Sequence, residues 1–401
     1  MSRLRFLTAG ESHGPCLTAI VEGLPAGLAV DVAAIDRDLR RRQGGYGRGG
    51  RMQIEQDRVE IRGGVLAGQT TGAPVAMCIE NRDWANWRDR WAAGDLPPLT
   101  VPRPGHADYA GMVKYGLDDA RPVLERASAR ETAARVAAGA LARQLLAAFE
   151  VAVGSYVAEI GGVAAVVPDL PAQELWALAE SSDVRCPDGD AAGRMRAAID
   201  AAHAAGDSLG GVFVTVAVGV PIGLGSHAHW DRRLDAQLAA AVMSIPAVKG
   251  VEIGPAFENA RRPGTQVHDE FVQIGNRKSA NGGNRQMGEI GKWANGQMGK
   301  WANGWVGRGA NRAGGIEGGM SNGQPIVVRA AMKPIPTMRT PLRSIDLATG
   351  APAMAQYQRS DVCAVPAASI VGEAMVAWVL AGALLEKVGG DSMAEMMGRR
   401  A

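Results

Sequence analysis

The chain is organised around two short histidine stretches, Gly10–Gly14 (GESHG) and Arg103–Tyr109 (RPGHADY), which lie on either side of an arginine run, Arg40–Arg51 (RRRQGGYGRGGR). Glycine and proline force turns here, and a turn places a side chain at the end of a strand, where it faces a cleft. A single histidine of this kind is more often a surface-turn or capped core residue. Two of them beside clustered arginines, among only six histidines in 401 residues, indicate a site for a small, multiply anionic ligand with two imidazoles as proton carriers.

Length and composition narrow the class of protein. A chain of 401 residues allows one large domain or two to three average ones, and an apolar content of 47% supplies a substantial core. A net charge of +2 argues against general polyanion binding as the main function. The four cysteines form no CxxC pair, which argues against a structural zinc site or a disulfide framework and favours a reducing compartment.

No targeting or membrane segment stands out. The amino terminus leads straight into strand-like residues without a signal-peptide pattern. The longest charge-free apolar run of the carboxyl-terminal half is Ala374–Leu385, shorter than the ~20 residues that span a bilayer. We therefore expect a soluble cytoplasmic protein. No GxxxxGK[ST] motif or strand-linked GxGxxG occurs, so a P-loop or Rossmann cofactor site is not indicated.

Hydrophobic periodicity predicts a mixed set of strands and helices. Alternating apolar residues predict strands, whereas apolar residues three and four apart predict helices. The predicted strands are Leu17–Glu22, Ile54–Val65, Val75–Glu80, Val151–Ile160, Val212–Val220 and Gln324–Met332. The predicted helices are Ile35–Arg42, Leu234–Ile245, Ala367–Val388 and a longer one within Val123–Phe149.

The Val123–Phe149 stretch carries the best helix signal. Ser128 and Glu131 form an S-x-x-E capping box, which predicts a helix that starts at Ala129 with its free N–H groups exposed. Peptide dipoles and guanidinium groups favour the same charge, so this helix start, with two arginines beside it, is a ready anion site. A plain capped helix is the alternative interpretation.

One stretch does not resemble the rest of the chain. Residues 291–298 (GKWANGQM) are followed by a second copy, 299–306 (GKWANGWV), and repeats this short cannot build a packed unit. We interpret Gly275–Ala310 as an expanded, flexible surface loop, with a Trp/Lys surface for nucleic acid or a partner as the alternative. Trp84, Trp87 and Trp91, spaced three and four residues apart, are interpreted as a packing face or subunit contact.

Several stretches together carry a resemblance along nearly the whole length of the chain. They are Gly10–Gly14, Arg42–Met52, Arg103–Gly111, Arg126–Thr132, Asp207–Gly211, Met243–Gly254, Asn311–Gly323, Lys333–Thr337 and Arg359–Pro366. In composition and order they resemble the chorismate synthase family. The repeat loop is the departure, because the family usually joins the flanking segments through a much shorter hairpin.

The resemblance implies an α+β fold, a β-α-β sandwich in which helices pack between antiparallel sheets. It implies a single domain over residues 1–401, interrupted by the repeat loop at about 275–310, and a homotetramer. The implied activity is the anti-1,4-elimination of phosphate from 5-enolpyruvylshikimate 3-phosphate to give chorismate, the last step of the shikimate pathway. The reaction needs reduced FMN and involves no net redox change.

The residue types suit these implied roles. Guanidinium forks bind the substrate's phosphate and two carboxylates bidentately. The arginines assigned to this anion are Arg42, Arg48, Arg51, Arg103, Arg126 and Arg130. By the resemblance, His13 protonates the departing phosphate and His106 acts on the reduced flavin, tasks that suit an imidazole titrating near neutrality. Asp361 matches the family's acidic residue proposed to take the C6 proton through flavin N5, and Ser12 and Ser128 relay protons or anchor the flavin.

The resemblance also assigns contacts to FMN. They are Arg126, Ala127, Ser128, Pro246, Ala247, Gly318, Lys333, Pro334, Ile335, Pro336, Thr337 and Arg359. Pro246 replaces a more usual polar residue, so its contact runs through the backbone. Arg42 and Arg48 match positions associated with NADPH in the family, although we expect them chiefly to hold substrate, with NADPH only as an electron source.

Two other functions compete with this interpretation. One is a non-catalytic polyanion- or RNA-binding protein that uses the arginine run and the Trp/Lys repeats, and its binding would weaken steeply with salt. The other is a flavin-free phosphatase, for which the sequence offers no nucleophile motif or metal cluster. We expect no metal site.

Overall fold

Two antiparallel sheets enclose a layer of helices in the computed structural model, which describes residues 4–50, 54–273, 306–356 and 361–399. In chain order the strands are β1 (Arg5–Ala9), β2 (Cys16–Glu22), β3 (Val59–Gly63), β4 (Val65–Leu66), β5 (Gln69–Thr70), β6 (Val75–Glu80), β7 (Ala152–Ile160), β8 (Val163–Ala164), β9 (Gly211–Val218), β10 (Val248–Ile253), β11 (Phe271–Gln273), β12 (Val306–Arg308), β13 (Ile316–Glu317), β14 (Met320–Ser321), β15 (Ile326–Met332), β16 (Arg343–Ile345) and β17 (Pro352–Met354). The first sheet has the order β1-β2-β6-β3, and the second has the order β10-β15-β9-β7-β8.

The helices lie mainly between and beside these two sheets. They are α1 (Val32–Gln43), α2 (Arg88–Ala93), α3 (Asp108–Tyr115), α4 (Arg121–Arg126), α5 (Thr132–Ala147), α6 (Ala172–Ser181), α7 (Gly189–Ala205), α8 (Leu234–Met243), α9 (Ala256–Asn259), α10 (Val365–Val388) and α11 (Met393–Gly398). Short 3₁₀ turns lie at Arg82–Asn86, Ala129–Glu131, Trp230–Arg232 and Gly264–Gln266. This arrangement confirms the α+β fold with helices packed between antiparallel sheets.

The first sheet positions the Gly10–Gly14 turn. Residues of β2 alternate between the two faces, and Leu17, Ala19 and Val21 are buried against the helices. β2 pairs with β6 so that its first residue, Cys16, lies opposite Glu80. The turn therefore lies at the end of β6, where the Asn81 side chain donates to the Gly14 carbonyl at 2.8 Å.

Helices α5 and α10 form the centre of the core. They cross at Gly139, where a Cβ atom would lie 2.4 Å from the Cβ of Ala374. Among the described residues, α10 is the one helix long and apolar enough to cross a membrane, yet 83% of its most apolar window is buried inside the fold. It is longer than the charge-free run Ala374–Leu385, because its first turns are also packed in the core.

The strand predicted at Val75–Glu80 has the same bounds in the structure, and the other predicted helices and strands are present with ends that differ by a few residues. Three predictions need correction. Only Val59–Gly63 of Ile54–Val65 joins the first sheet, because Glu55 and Asp57 before it bind Arg82 and Arg130 through their side chains, and Val65 pairs with Thr70 in a separate hairpin. The helix predicted from Ala129 begins with a 3₁₀ turn, and its α-helical part starts at Thr132.

The third correction concerns the end of the predicted loop Gly275–Ala310. Val306–Arg308 is a strand that pairs with Phe271–Gln273, and the Arg308 guanidinium lies 3.8 Å from the centre of the Phe271 ring. The prediction of a loop is therefore wrong for these three residues. Residues 274–305, which hold most of the tandem repeat, lie outside the described residues.

Candidate active site

A cavity of about 690 Å³ lies between the first sheet, the central helices and the loops that carry both histidine stretches. Seven described lysine and arginine side chains line it: Arg42, Arg48, Arg103, Arg126, Arg130, Arg135 and Lys333. His13 and His106 also line it, together with Ser12, Ser128 and Asp361. The structure thus brings together both histidine stretches and most of the predicted arginines, as expected for an anion site.

His13 is held in place by a buried carboxylate. Its Nδ1 atom lies 2.9 Å from Oε1 of Glu125, and its backbone N–H donates to Oε2 of the same side chain at 2.7 Å. Glu125 is 2% exposed and lies in α4. Since a carboxylate only accepts, Nδ1 of His13 is the donor, and a proton exchanged with a ligand passes through Nε2. Sequence reasoning missed Glu125, although it directly precedes the predicted ligand residue Arg126.

The indole of Trp87 covers one face of His13. The two ring centres are 4.3 Å apart, and the Trp87 Nε1–H donates to the buried Asp83 at 3.3 Å. Trp84 and Trp91 pack edge to face, with ring centres 5.9 Å apart. The interpretation as a packing face therefore holds for Trp84 and Trp91, whereas Trp87 forms part of the cavity wall.

The second histidine lies in a cluster with Arg103 and Asp108. The Nδ1 atom of His106 is 2.5 Å from Oδ1 of Asp108, and the Nε atom of Arg103 donates to Oδ2 at 2.8 Å. Burial opposes ionisation of Asp108, but hydrogen bonds from His106 and Arg103 outweigh it and hold the pKa of this carboxyl well below its ordinary value. Asp108 is therefore a carboxylate throughout the neutral range.

Arg42 and Arg130 lie deepest in the cavity wall. Both are under 5% exposed, and the Nη1 atom of Arg130 contacts Asp57 at 2.5 Å while its Nε donates to Asn81 at 2.8 Å. Arg42 donates to Thr132 at 3.2 Å, and its nearest carboxylate contact, to Asp57, is 3.9 Å long. Burial, together with the positive charges of Arg130 and Arg48, lowers the pKa of Arg42 to about 10. The carboxylates of Asp57 and Asp361 raise this pKa but do not offset the burial. A bound anion would stabilise the charged form of the buried Arg42 guanidinium.

Asp361 lies opposite the Gly-rich stretch. Its carboxylate contacts Arg48 at 2.7 Å and accepts from the backbone N–H of Gly49 at 2.7 Å. Arg48 and Asp361 are both mostly buried. This ion pair holds the arginine run against the start of α10 and places one carboxylate, like that of Glu131, among the cationic side chains of the cavity wall.

The two predicted serines are in contact. The Oγ atoms of Ser12 and Ser128 are 3.1 Å apart, and Ser128 also accepts from the backbone N–H of Arg130 at 3.2 Å. The other half of the predicted capping box is absent, because the carboxylate of Glu131 instead accepts from Thr8 at 2.8 Å and from Arg135 at 2.9 Å. Ser128 therefore caps alone, and Glu131 joins β1 to α5.

The proline-containing segment Lys333–Thr337 closes the opposite side of the cavity. Lys333 Nζ donates to the carbonyl of Gly105 at 2.6 Å, and Thr337 accepts from Arg103 at 3.3 Å. Ala247 lies beside the segment and accepts from the Lys333 backbone N–H, with a left-handed φ of 68°. All residues of the segment except Pro334 line the cavity.

Some predicted residues are not at this cavity or are not described. Gly318 lies in the turn between β13 and β14, beside residues that pack on Arg233 rather than in the cavity wall. Arg51 and Arg359 lie outside the described residues. Arg135, which sequence reasoning missed, lines the cavity and donates to Ser244 at 2.8 Å. Its position one helical turn after Glu131 was the available signal.

The cavity combines charged and apolar walls. Helix α10 and the segment between α8 and β10 contribute small and aliphatic side chains. These side chains suit a flat ring system rather than water. Within the described residues, no group of three or more His, Cys, Asp or Glu could hold a metal ion. The arrangement can therefore bind an anion, cover an apolar ring and transfer protons through two oriented imidazoles.

Comparison with known proteins gives one consistent result. The family model described as chorismate synthase matches residues 4–385. A chorismate synthase of Desulforudis audaxviator is 56% identical over 98% of this chain and 95% of its own length, and one of Chlorobaculum tepidum is 53% identical over 99% and 96%. A crystal structure of chorismate synthase superposes with a TM-score of 0.75, at 42% identity, and covers 100% of this chain and 97% of its own. The chain belongs to the chorismate synthase family.

Proposed function

We propose that this chain is a lyase that eliminates phosphate from 5-enolpyruvylshikimate 3-phosphate to form chorismate, the last step of the shikimate pathway. The supporting observation is that seven cationic side chains and two carboxylate-held imidazoles line one cavity together with apolar side chains. Membership of the chorismate synthase family supports the same reaction. We assign the enzyme to aromatic amino acid biosynthesis.

The chain's own residues supply substrate binding and proton transfer. The substrate carries a phosphate and two carboxylates, and Arg42 and Arg48 provide buried guanidinium donors for such groups. His13 holds a proton at Nε2, the ring nitrogen away from Glu125, and delivers it to the phosphate as the C–O bond breaks. We propose that Asp361, which lines the same cavity, accepts the proton lost from C6, so that the elimination balances.

The cavity also fits the reduced FMN that we propose as cofactor. Its volume exceeds that of a single small acid, and its apolar walls suit a flat tricyclic ring. The residues that would hold the cofactor are Arg126, Ala127, Ser128, Pro246, Ala247, Lys333, Ile335, Pro336 and Thr337. When bound, the reduced flavin supplies transient electron donation that weakens the allylic C–O bond. His106 holds a proton on the same side of the cavity as Lys333.

We further propose that the protein works as a cytoplasmic homotetramer and that NADPH serves only as a source of electrons for the flavin. The RNA-binding alternative has no support, and three arginines of the run are engaged inside the fold. Arg41 pairs with the buried Glu373, Arg42 is 3% exposed, and Arg48 pairs with Asp361.

Anaerobic turnover with chemically reduced FMN tests the proposed function, with chorismate and phosphate both measured. The unmodified protein should release the two products in equal amounts. His13→Ala and His106→Ala should each lower kcat by about 10²–10⁴, the usual contribution of a general acid or base, while substrate-dependent FMN binding is retained. His203→Ala, an exposed histidine on α7, is the control and should match the unmodified protein. Absence of chorismate with the unmodified protein would refute the proposal.

A further inference from the structure

The carboxylate of Asp108 accepts four hydrogen bonds from residues of the His106 loop. Its Oδ1 atom accepts from His106 Nδ1 at 2.5 Å and from Arg103 Nη2 at 3.0 Å. Its Oδ2 atom accepts from the Arg103 backbone N–H at 3.0 Å and from Arg103 Nε at 2.8 Å. Asp108 is 2% exposed, so these four donors replace its water shell.

This pattern decides which nitrogen of His106 carries the hydrogen. A carboxylate cannot donate, so Nδ1 must donate to Asp108, and a neutral His106 has its lone pair at Nε2. Arg103 Nη2 also lies 3.0 Å from Nδ1, but a guanidinium has no acceptor, which again leaves Asp108 as the acceptor for both groups. The orientation of the ring and its tautomer are therefore set by one side chain.

Arg103 is engaged by the same cluster. Two of its side-chain nitrogens donate to Asp108 and the third contacts Thr337 at 3.3 Å. Its guanidinium therefore neutralises Asp108 and joins the His106 loop to the Lys333–Thr337 segment. This use differs from the anion contact that the sequence suggested for Arg103.

We propose that Asp108 is a positioning residue that holds His106 with its hydrogen on Nδ1 and its lone pair on Nε2, with Arg103 as the cation that neutralises Asp108. The inference rests on the proposed function for its kinetic consequence, because His106 must transfer a proton for the tautomer to matter. The tautomer itself is a property of the protein alone.

Asp108→Asn reverses the tautomer for a reason visible in the contacts. The amide has one oxygen and one NH₂. The Oδ2 position faces two Arg103 groups that can only donate, whereas the Oδ1 position faces one such group, Arg103 Nη2, and the His106 nitrogen, which can also accept. The oxygen is better placed at the Oδ2 position, which puts the NH₂ group opposite His106 Nδ1 and makes Nδ1 the acceptor. The hydrogen then moves to Nε2, as in the serine protease triads where an Asp-to-Asn change leaves the geometry but lowers kcat by ~10⁴.

The first test uses no substrate or cofactor. Diethyl pyrocarbonate acylates an imidazole nitrogen that carries a lone pair, and His106 has 16% of its side chain exposed. Peptide mass spectrometry should show His106 modified at least tenfold more slowly in Asp108→Asn than in the unmodified chain. The exposed His203 serves as the internal standard in both proteins. Equal His106 rates would overturn the inference.

The second test is kinetic. Asp108→Asn should lower kcat by ~10²–10⁴ and change KM less than threefold, since the substrate-binding arginines are untouched. Asp119→Asn is the matched control, because Asp119 accepts from the backbone N–H groups of Leu99 and Arg121 in the neighbouring loop and does not line the cavity. Unchanged kcat in Asp108→Asn beside an active unmodified enzyme would overturn the inference.

A second variant covers the case in which Asp108→Asn does not fold. Asp108→Ala introduces no misplaced donor, and a small cavity of about 40 Å³ beside Asp108, lined also by Thr100 and Gln356, leaves room for formate. Added formate should raise the kcat of Asp108→Ala at least tenfold and should leave the kcat of His106→Ala unchanged. Absence of rescue in a folded Asp108→Ala protein counts against the inference. If the unmodified enzyme makes no chorismate, the proposed function fails, while the modification rates still test the role of Asp108.

Discussion

Each cavity histidine donates from Nδ1 to a buried carboxylate, but the two carboxylates reach their partners in different ways. Asp108 lies two residues from His106 in the same turn, whereas Glu125 is 112 residues from His13. The first pair is local, so the sequence RPGHAD contains all of it. The second depends on α4 packing against the Gly10–Gly14 turn, where the Ser12 N–H also donates to the Glu125 carbonyl at 3.1 Å.

Glu125→Gln should weaken the hydrogen bonds that orient His13 and leave the arginines of the cavity wall in place. The amide oxygen is best placed at the Oε2 position, where it keeps the His13 backbone N–H, and this puts the NH₂ group opposite Nδ1 at its shorter contact. Nδ1 then loses its carboxylate acceptor, and its hydrogen is no longer held there. We expect kcat in the anaerobic assay to fall at least tenfold and the free energy of unfolding to fall by about 1–3 kcal/mol. Glu174→Gln, on the exposed face of α6, is the control. A Glu125→Gln enzyme with unchanged kcat would show that His13 is oriented by other contacts.

At the scale of elements, helix α5 shows how packing changes what periodicity predicts. The three- and four-residue spacing of Ala138, Leu141, Ala142, Leu145 and Phe149 predicts one apolar face, and all five are buried. The rest of the helix is almost as deeply buried, because α10 covers it on one side and the first sheet on the other. A helix between two layers has little need for a polar face, and its many alanines allow the close approach.

At Gly139, α5 and α10 pack so closely that no side chain fits between them. Gly139→Ala would add a Cβ 2.4 Å from the Ala374 Cβ and 2.5 Å from its Cα, so a helix must move. We expect this overpacking to cost about 1–3 kcal/mol and to outweigh the ~1 kcal/mol gained in helix propensity. Differential scanning fluorimetry should show a lower Tm.

The matched control for Gly139 is Gly193, which lies on the exposed face of α7. A Cβ added there meets nothing within 4 Å, so Gly193→Ala should raise stability by up to ~1 kcal/mol. Opposite signs for the two variants would support the packing argument. A rise in Tm for Gly139→Ala would mean that α5 and α10 are less tightly packed than the structure indicates.

At the scale of the whole molecule, a buried ion network joins the two layers. Glu373 of α10 is fully buried and contacts Arg41 of α1 at 2.8 Å, Arg143 of α5 at 3.0 Å and Ser155 of β7 at 2.7 Å. Burial opposes its ionisation, but the Arg41, Arg143 and Arg185 guanidiniums outweigh it and lower the pKa of Glu373 to about 2. One carboxylate therefore compensates several core arginines.

This network predicts a particular dependence of stability on pH. The folded pKa of Glu373 lies below its ordinary value of 4.5, so the unfolded chain binds more protons between these two values. The stabilisation is complete above about pH 5 and is lost as the pH falls toward 2, with a magnitude on the order of 3 kcal/mol. Denaturation midpoints between pH 7 and 3 measure it.

Glu373→Gln should lack this acid-dependent component. At neutral pH it should be destabilised by about 3–5 kcal/mol, because it leaves buried guanidinium groups without their carboxylate. Glu60→Gln, whose carboxylate pairs with Arg62 on the exposed face of β3, should follow the unmodified protein at every pH. A Glu373→Gln protein that loses stability in acid as steeply as the unmodified chain would refute this assignment.

Deletion of the tandem repeat tests whether the fold needs this segment for its stability. Strands β11 and β12 pair Gln273 with Val306, so the two ends of the intervening segment are held together. Removal of residues 291–305 should therefore leave Tm within about 2 °C and the elution volume of the assembly that of the shortened chain, because no described core residue is lost. Insolubility or dissociation after the deletion would show that the repeats are structural.

The amino-acid sequence by itself determined the local features of this protein: the strand and helix periodicities, the glycine-bordered histidine turns, and the His106–Asp108 pair. Only the tertiary structure decided which distant residues meet, because such contacts depend on sheet register and helix packing rather than on spacing along the chain. It seated Glu125 and Trp87 against His13, turned Arg103 and Arg130 toward internal carboxylates, and placed Gly318 away from the cavity. A guanidinium in a sequence looks available for any anion, and only the fold shows which carboxylate has already neutralised it.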